Sequence, residues 1–183
     1  MLEEIIIAGF GGQGIMSMGQ LLAHSGLHEG KYVSWLPSYG PEQRGGTANC
    51  AVVISDEPVG SPLVSSPSAA IVLNLPSYEK FEPKVRTGGL LITNSSLVAG
   101  KSGRTDIRSL EIDATGIANG LGNGRVANMV LLGAFIEATG ILSYDSLIES
   151  LRKVLSADKH HLIDLNRLAL AKGAAIVQEA SIK

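Results

Sequence analysis

Residues 8–19 read AGFGGQGIMSMG and follow the apolar run Ile5-Ile6-Ile7. Gly9, Gly11, Gly12 and Gly14 crowd this stretch, and Gly9, Gly11 and Gly14 match the spacing G-x-G-x-x-G. A strand that ends in glycines and feeds a helix presents free backbone N–H groups. Those donors and the helix dipole favour an anion. Gly9 permits the tight turn, Gly11 and Gly12 permit close approach, and Gly14 lets the helix pack near the strand. Three readings stand. The loop grips a dinucleotide, it grips another anion or phosphate, or its glycines only let helix, strand or another chain pack closely.

The dinucleotide reading meets a further requirement. An NAD site wants an Asp or Glu about 20 residues on, at the end of the second strand, for the ribose hydroxyls. That region here reads Ser34-Trp35-Leu36-Pro37-Ser38, with Glu29 earlier and Glu42 later. No arginine stands there for a 2′-phosphate, and no Gly-Lys-Ser/Thr follows the glycines as a P-loop needs. An anion, or close packing alone, fits better than NAD or FAD.

A second loop, SYGPEQRGGTANC at residues 38–50, is more specific. Pro41 stiffens it, and Gly45 and Gly46 allow unusual backbone angles. Arg44 is the only Lys or Arg between Lys31 and Lys80. Its guanidinium can hold a carboxylate or phosphate bidentately, or pair with Glu42 to brace the loop. In an open α/β sheet the loops at the carboxyl ends of strands gather in one crevice. Gly11, Gly12, Gln13 and Gly14 are therefore expected as backbone donors to an anion, with Arg44 as the cation. Tyr39, Glu42 and Gly45 are expected as contact residues. Asn74 and Asn94 close the fourth and fifth strands, where they face the same crevice or serve as turn and capping residues.

The remaining candidates carry little chemistry. Cys50 is the only cysteine, so the chain forms no internal disulfide and holds no iron–sulfur cluster alone. It sits within a strand and reads as a small core residue. His24 and His28 are one turn apart, but no third ligand is evident, and a helix-surface pair is the simpler reading. His160 and His161 are adjacent and point apart. No catalytic residue and no metal site are expected.

The elements that must position these residues follow from apolar periodicity. EEIIIA at 3–8 reads as a buried parallel strand. Ile15, Met18, Leu22 and Ser25 recur at helical spacing from Gln13 to about His28, with Gly30 as a stop. KYVSWL at 31–36 reads as a second strand, and 37–46 is too rich in Pro and Gly for a regular element. TANCAVVIS at 47–55, AAIVLN at 69–74 and GGLLITN at 88–94 read as further strands. PSYEKFEPKV reads as a short helix with Pro76 in its first turn. IRSLEID at 107–113 alternates like an edge strand. Val126 to Ala138 is apolar on nearly every side and reads as a buried helix. Leu147, Ile148, Leu151, Val154 and Leu155 form a one-sided stripe. Leu162 to Val177 reads as a closing helix weakened at Gly173. Strands alternating with helices, then a helical tail, predict a single α/β domain over 1–183. It is a three-layer α/β/α, Rossmann-like domain with a mainly parallel or mixed sheet.

Bulk properties exclude other classes. The net charge is −2 and the sequence pI about 6.1, with no basic run, which argues against a nucleic-acid surface. The start lacks a basic region before its apolar run, so no secretion signal is read. No stretch offers the roughly 20 uninterrupted apolar residues of a membrane helix. A cytoplasmic protein is expected.

IIIAGFGGQGIMSMGQLLA, then SYGPEQRGGTANCAVVIS, then VLNLPSYEKF resembles the gamma subunit of 2-oxoacid:ferredoxin oxidoreductases. The likeness covers essentially the whole chain, in order. It is most similar to the 2-oxoglutarate type, with the pyruvate and branched-chain types close. The resemblance implies a fold like domain III of pyruvate:ferredoxin oxidoreductase. It implies a holoenzyme that uses coenzyme A to oxidatively decarboxylate a 2-oxoacid to acyl-CoA, carbon dioxide and reduced ferredoxin. Thiamine diphosphate, magnesium and iron–sulfur clusters would sit on alpha, beta and ferredoxin-like delta subunits, with ferredoxin reached through the complex. The isolated chain would be inactive, and its exposed docking surface would favour a homodimer in isolation. The rival expectation is a free-standing Rossmann-like nucleotide-binding protein or NAD(P)-dependent reductase.

Overall fold

The structure is a computed structural model that describes residues 1–39 and 46–181. In chain order the elements are β1 (Leu2–Phe10), α1 (Ile15–His28), β2 (Tyr32–Tyr39), β3 (Thr47–Ser55), β4 (Ala69–Val72), α2 (Leu75–Phe81) and β5 (Leu90–Asn94). There follow β6 (Arg108–Ile112), α3 (Ala114–Gly120), α4 (Ala127–Thr139), α5 (Tyr144–Val154) and α6 (Ile163–Ser181). The strands form one sheet in the order β2-β3-β1-β4-β5-β6.

The sheet is mixed. β1–β4, β4–β5 and β5–β6 pair parallel, whereas β3 runs antiparallel to both β1 and β2. The short link between β2 and β3 dictates this, because a parallel pair needs a crossover of roughly a dozen residues or more. β6 lies at one edge, as its alternating pattern predicts. β2 forms the other edge and continues through Pro37 to Tyr39, where an irregular segment is expected from composition. An edge strand tolerates a proline because one of its sides makes no ladder.

Successive strand residues point to opposite faces, so the apolar run of β1 serves two cores. Ile5 and Ile7 join Cys50, Val52, Ile54, Ile71 and Ile92 on the larger side, packed under α1, α4, α5 and α6. Ile6 and Ala8 join Ala51, Ala70, Val72 and Leu91 on the smaller side, under Phe81 and Val85. The three layers are therefore unequal. α4 is buried along its whole first part, from Ala127 to Ile136. α6 runs unbroken through Gly173, which is a point of contact with α4 rather than a weak spot. α3 was not expected from its glycine-rich sequence. Asp113 begins it, with Oδ1 accepting from the Gly116 N–H at 3.0 Å. Among the described residues no helix is long and apolar enough to cross a membrane.

Candidate functional site

β1 delivers the chain to the glycine corner and α1 carries it away on the larger-core side. Gly12 and Gly14 have φ of +98° and +79°, a region that side-chain-bearing residues rarely enter. Gly14 is the N-cap of α1. No side chain caps it, and no acidic residue stands in the first turn. The first N–H groups of α1 are thus open to a ligand.

The four expected backbone donors divide. The Gly11 N–H donates to the Gly46 carbonyl at 3.0 Å, and the Gln13 N–H donates to the Phe10 carbonyl at 3.1 Å. The Gln13 side chain folds back, its Oε1 accepting from the Phe10 N–H at 2.6 Å and from Asn74 Nδ2 at 3.4 Å. Those groups are spent inside the fold. Gly12 and Gly14 donate no backbone hydrogen bond among the described residues.

The Gly11–Gly46 bond ties the two loops together. β2 and β1 run the same way with β3 between them, so both end at one margin of the sheet. Tyr39 shares with Gly11, Gly12, Gly14 and Ser17 a cleft of about 240 Å³. Glu42, Arg44 and Gly45 lie outside the described residues. The intervening β3 also explains the missing ribose acid. In a dinucleotide fold the second strand adjoins the first. Here the end of β2 stands two strands away, roughly 10 Å from the corner.

A second cleft, of about 260 Å³, opens on the other flank of Gly12. α1 leaves β1 toward the larger core and α2 leaves β4 toward the smaller one. The carboxyl ends of β1 and β4 thus form a topological switch point, where open α/β sheets bind ligands. Gly12, Gln13, Leu73, Asn94, Thr115, Arg125 and Asn128 line the cleft. Asn94 Nδ2 donates to Thr115 Oγ1 at 2.9 Å, while Asn94 Oδ1 is buried without a partner. Asn74 serves the fold instead. Its Oδ1 accepts from the Ser77 N–H at 2.9 Å and caps α2.

Thr115, Arg125 and Asn128 escape a reading by motif. One signal does mark Arg125: it directly precedes an apolar helix. A cation at a helix N-terminus opposes the dipole and has no stabilising reason to be there.

Cys50 is fully buried, and burial pushes its thiol up to about 12. His28 Nε2 lies 3.2 Å from Glu149 Oε2 on the helix surface. His160 Nε2 contacts the Arg152 and Leu155 carbonyls at 3.1 Å, and His161 Nδ1 contacts the Asp158 carbonyl at 2.8 Å. Among the described residues no three His, Cys, Asp or Glu side chains group to hold a metal.

Comparison with known proteins places this geometry. Residues 4–176 match the family model described as pyruvate ferredoxin/flavodoxin oxidoreductase. The chain is 43% identical over 179 residues to the ketoisovalerate oxidoreductase subunit VorA of Methanothermobacter thermautotrophicus, covering 96% of this chain but 36% of that protein. It spans only about a third of that relative. It is 35% identical over 182 residues to the 2-oxoglutarate synthase subunit KorC of Methanocaldococcus jannaschii, covering 98% of this chain and 96% of that one. Its fold matches the crystal structure of the keto/oxoacid ferredoxin oxidoreductase gamma subunit from Geobacter sulfurreducens, with a TM-score of 0.82 and 27% identity over 97% of this chain and 99% of that one. The chain belongs to the pyruvate ferredoxin/flavodoxin oxidoreductase family.

Proposed function

We propose that this chain is the gamma subunit of a multi-subunit 2-oxoacid:ferredoxin oxidoreductase. The complex converts a 2-oxoacid and coenzyme A to acyl-CoA and carbon dioxide and reduces ferredoxin. The observation that carries this reading is the length-for-length likeness to KorC, 98% of this chain on 96% of that one. Alpha, beta and ferredoxin-like delta subunits would bring thiamine diphosphate, magnesium and iron–sulfur clusters in the cytoplasm. The residues described here do not fit those groups, since the one cysteine is buried and no ligand cluster forms. An anionic ligand such as coenzyme A at the glycine corner is supported by Gly12 and Gly14, whose amides donate no backbone hydrogen bond among the described residues beside the uncapped start of α1, and by Tyr39, which borders the cleft.

The KorC likeness favours 2-oxoglutarate as the substrate. The higher identity to VorA, 43%, favours a branched-chain 2-oxoacid instead. Reconstitution with the catalytic subunits and each 2-oxoacid separates the two by acyl-CoA formation. The chain alone, supplied with every cofactor, is expected to show no turnover, and turnover would overturn the subunit reading. Micromolar binding of NAD(H) or NADP(H) in calorimetry would instead favour the free-standing reductase.

A further inference from the structure

Most peptide groups between Gly9 and Ile15 are pinned. Gln13 Oε1 accepts from the Phe10 N–H at 2.6 Å, which fixes the peptide joining Gly9 to Phe10. The Gly11 N–H donates to the Gly46 carbonyl at 3.0 Å and the Gln13 N–H to the Phe10 carbonyl at 3.1 Å. These fix the peptides joining Phe10 to Gly11 and Gly12 to Gln13. The Gly14 carbonyl accepts from the Met18 N–H at 3.0 Å and from Asn128 Nδ2 at 3.4 Å, which fixes the peptide joining Gly14 to Ile15. Among the described residues the exceptions are the peptides that carry the Gly12 and Gly14 N–H groups. Each lies between pinned neighbours.

Two carboxamides, those of Gln13 and Asn128, supply the side-chain pins. A Cβ at Gly9 would fall on Gln13 Oε1, and a Cβ at Gly14 would fall on Asn128 Nδ2. The first and third glycines of the motif thus make room for side chains that brace the corner. At Gly12, by contrast, a Cβ would meet nothing within 4 Å. Both braces are themselves held. Gln13 Oε1 also accepts from Asn74 Nδ2 at 3.4 Å. Asn128 is 7% exposed at the start of α4, and its Oδ1 accepts from the Met129 N–H at 2.9 Å.

We propose that Gln13 and Asn128 are positioning residues, whose carboxamides hold the glycine corner so that the Gly12 and Gly14 N–H groups stay open to coenzyme A. The inference rests on the reading of this corner as the coenzyme A face of the subunit. Glycine-rich backbone left to itself samples many conformations, and binding would have to order it. Donors fixed beforehand by packed side chains avoid that cost. Gln13 therefore acts through its side chain on the backbone of the turn, in place of the direct backbone donation expected from the motif. Asn128 brings the same support from α4, more than a hundred residues further along the chain.

Two readouts test this. In the complex reconstituted with its catalytic subunits, Gln13→Met and Asn128→Ala are each expected to raise the KM for coenzyme A about tenfold. The KM for the 2-oxoacid and the kcat at saturating coenzyme A should stay within about twofold. A merely structural loss would lower assembly or kcat instead. In amide NMR of the full chain, the Gly12 and Gly14 resonances are expected to be sharp in the wild type and in Gln13→Glu, which keeps an acceptor for the Phe10 N–H. They are expected to broaden in Gln13→Met and Asn128→Ala. An unchanged KM for coenzyme A in both variants, resonances that stay sharp in both, or equal broadening in Gln13→Glu overturns the positioning role. A wild-type complex that does not turn over overturns the subunit reading, and the resonances then decide the positioning by themselves.

Discussion

Gly173 of α6 rests directly on the Val130 carbonyl of α4, so closely that a Cβ at Gly173 would overlap the oxygen. Gly133 of α4 meets the Leu170 carbonyl of α6 in the same way. The two backbones touch where side chains would normally separate them. At an exposed helical site Gly→Ala would stabilise by about 0.5–1 kcal/mol. Here the sign inverts. Gly173→Ala is expected to destabilise by about 1–3 kcal/mol through overpacking. A urea midpoint that stays put or rises would show that α4 and α6 do not pack this tightly.

Asn74 couples a cap to the glycine corner. It caps α2 through the Ser77 N–H at 2.9 Å and reaches Gln13 Oε1 at 3.4 Å. Asn74→Ala is expected to cost about 1 kcal/mol, the usual loss of an N-cap. Asn74→Asp should retain the cap and lose the donor to Gln13. Denaturant curves of the two variants separate the contributions, and equal losses would mean that the Gln13 contact is the one that matters.

Cys50 is sealed in the larger core, with Sγ 3.7 Å from the Ile15 carbonyl. Burial pushes the thiol up to about 12, against the opposing pull of the Trp35 indole N–H, so no thiolate forms near neutral pH. A thiol reagent is expected to leave the native chain unlabelled and to react fully in denaturant. Rapid labelling of the native chain at neutral pH would contradict this burial.

Asp106 is held by Arg104, whose Nε donates to Oδ1 at 2.9 Å and whose Nη2 donates to Oδ2 at 2.5 Å; Thr87 Oγ1 adds a bond at 2.9 Å. These bonds, the Arg104 pair first, bring its carboxyl down to about 2. The unfolded value is about 3.9. A carboxyl depressed in the folded state contributes stability above its unfolded value and loses it as pH falls toward the folded one. The stability difference between the chain and Asp106→Asn is therefore expected at neutral pH and should vanish between about pH 4 and 2. The pair is exposed, so the difference will be small and salt-sensitive. A difference that persists at the acid end would assign the effect to something other than this charge.

Much of the fold is legible along the chain because its signals are local. The run Ile5-Ile6-Ile7 announces a strand buried on both faces, and both cores use it. The glycine-rich stretch after Ile7 announces a strand-to-helix turn, and the chain makes that turn with Gly12 and Gly14 at positive φ. The apolar block before Gly140 announces a helix with no wet side. α3 was hidden because ATGIANG has poor helical propensity and depends on the Asp113 cap. Gly173 was misjudged because propensity is blind to what another helix brings against it.

The candidate site was half legible for the same reason. Gly12, Gly14 and Tyr39 could be found from backbone freedom and loop composition, since those properties belong to short segments. Arg125, Thr115 and Asn128 could not, because they reach the corner from distant parts of the chain. The sequence by itself determined the strands, most of the helices and the glycine turn. Only the tertiary structure decided that β3 reverses the sheet beside β1, that α1 and α2 leave on opposite faces, and that a cleft opens between them. Strand direction and the meeting of remote side chains depend on which packing buries both faces of the sheet at once, and no local pattern records that choice.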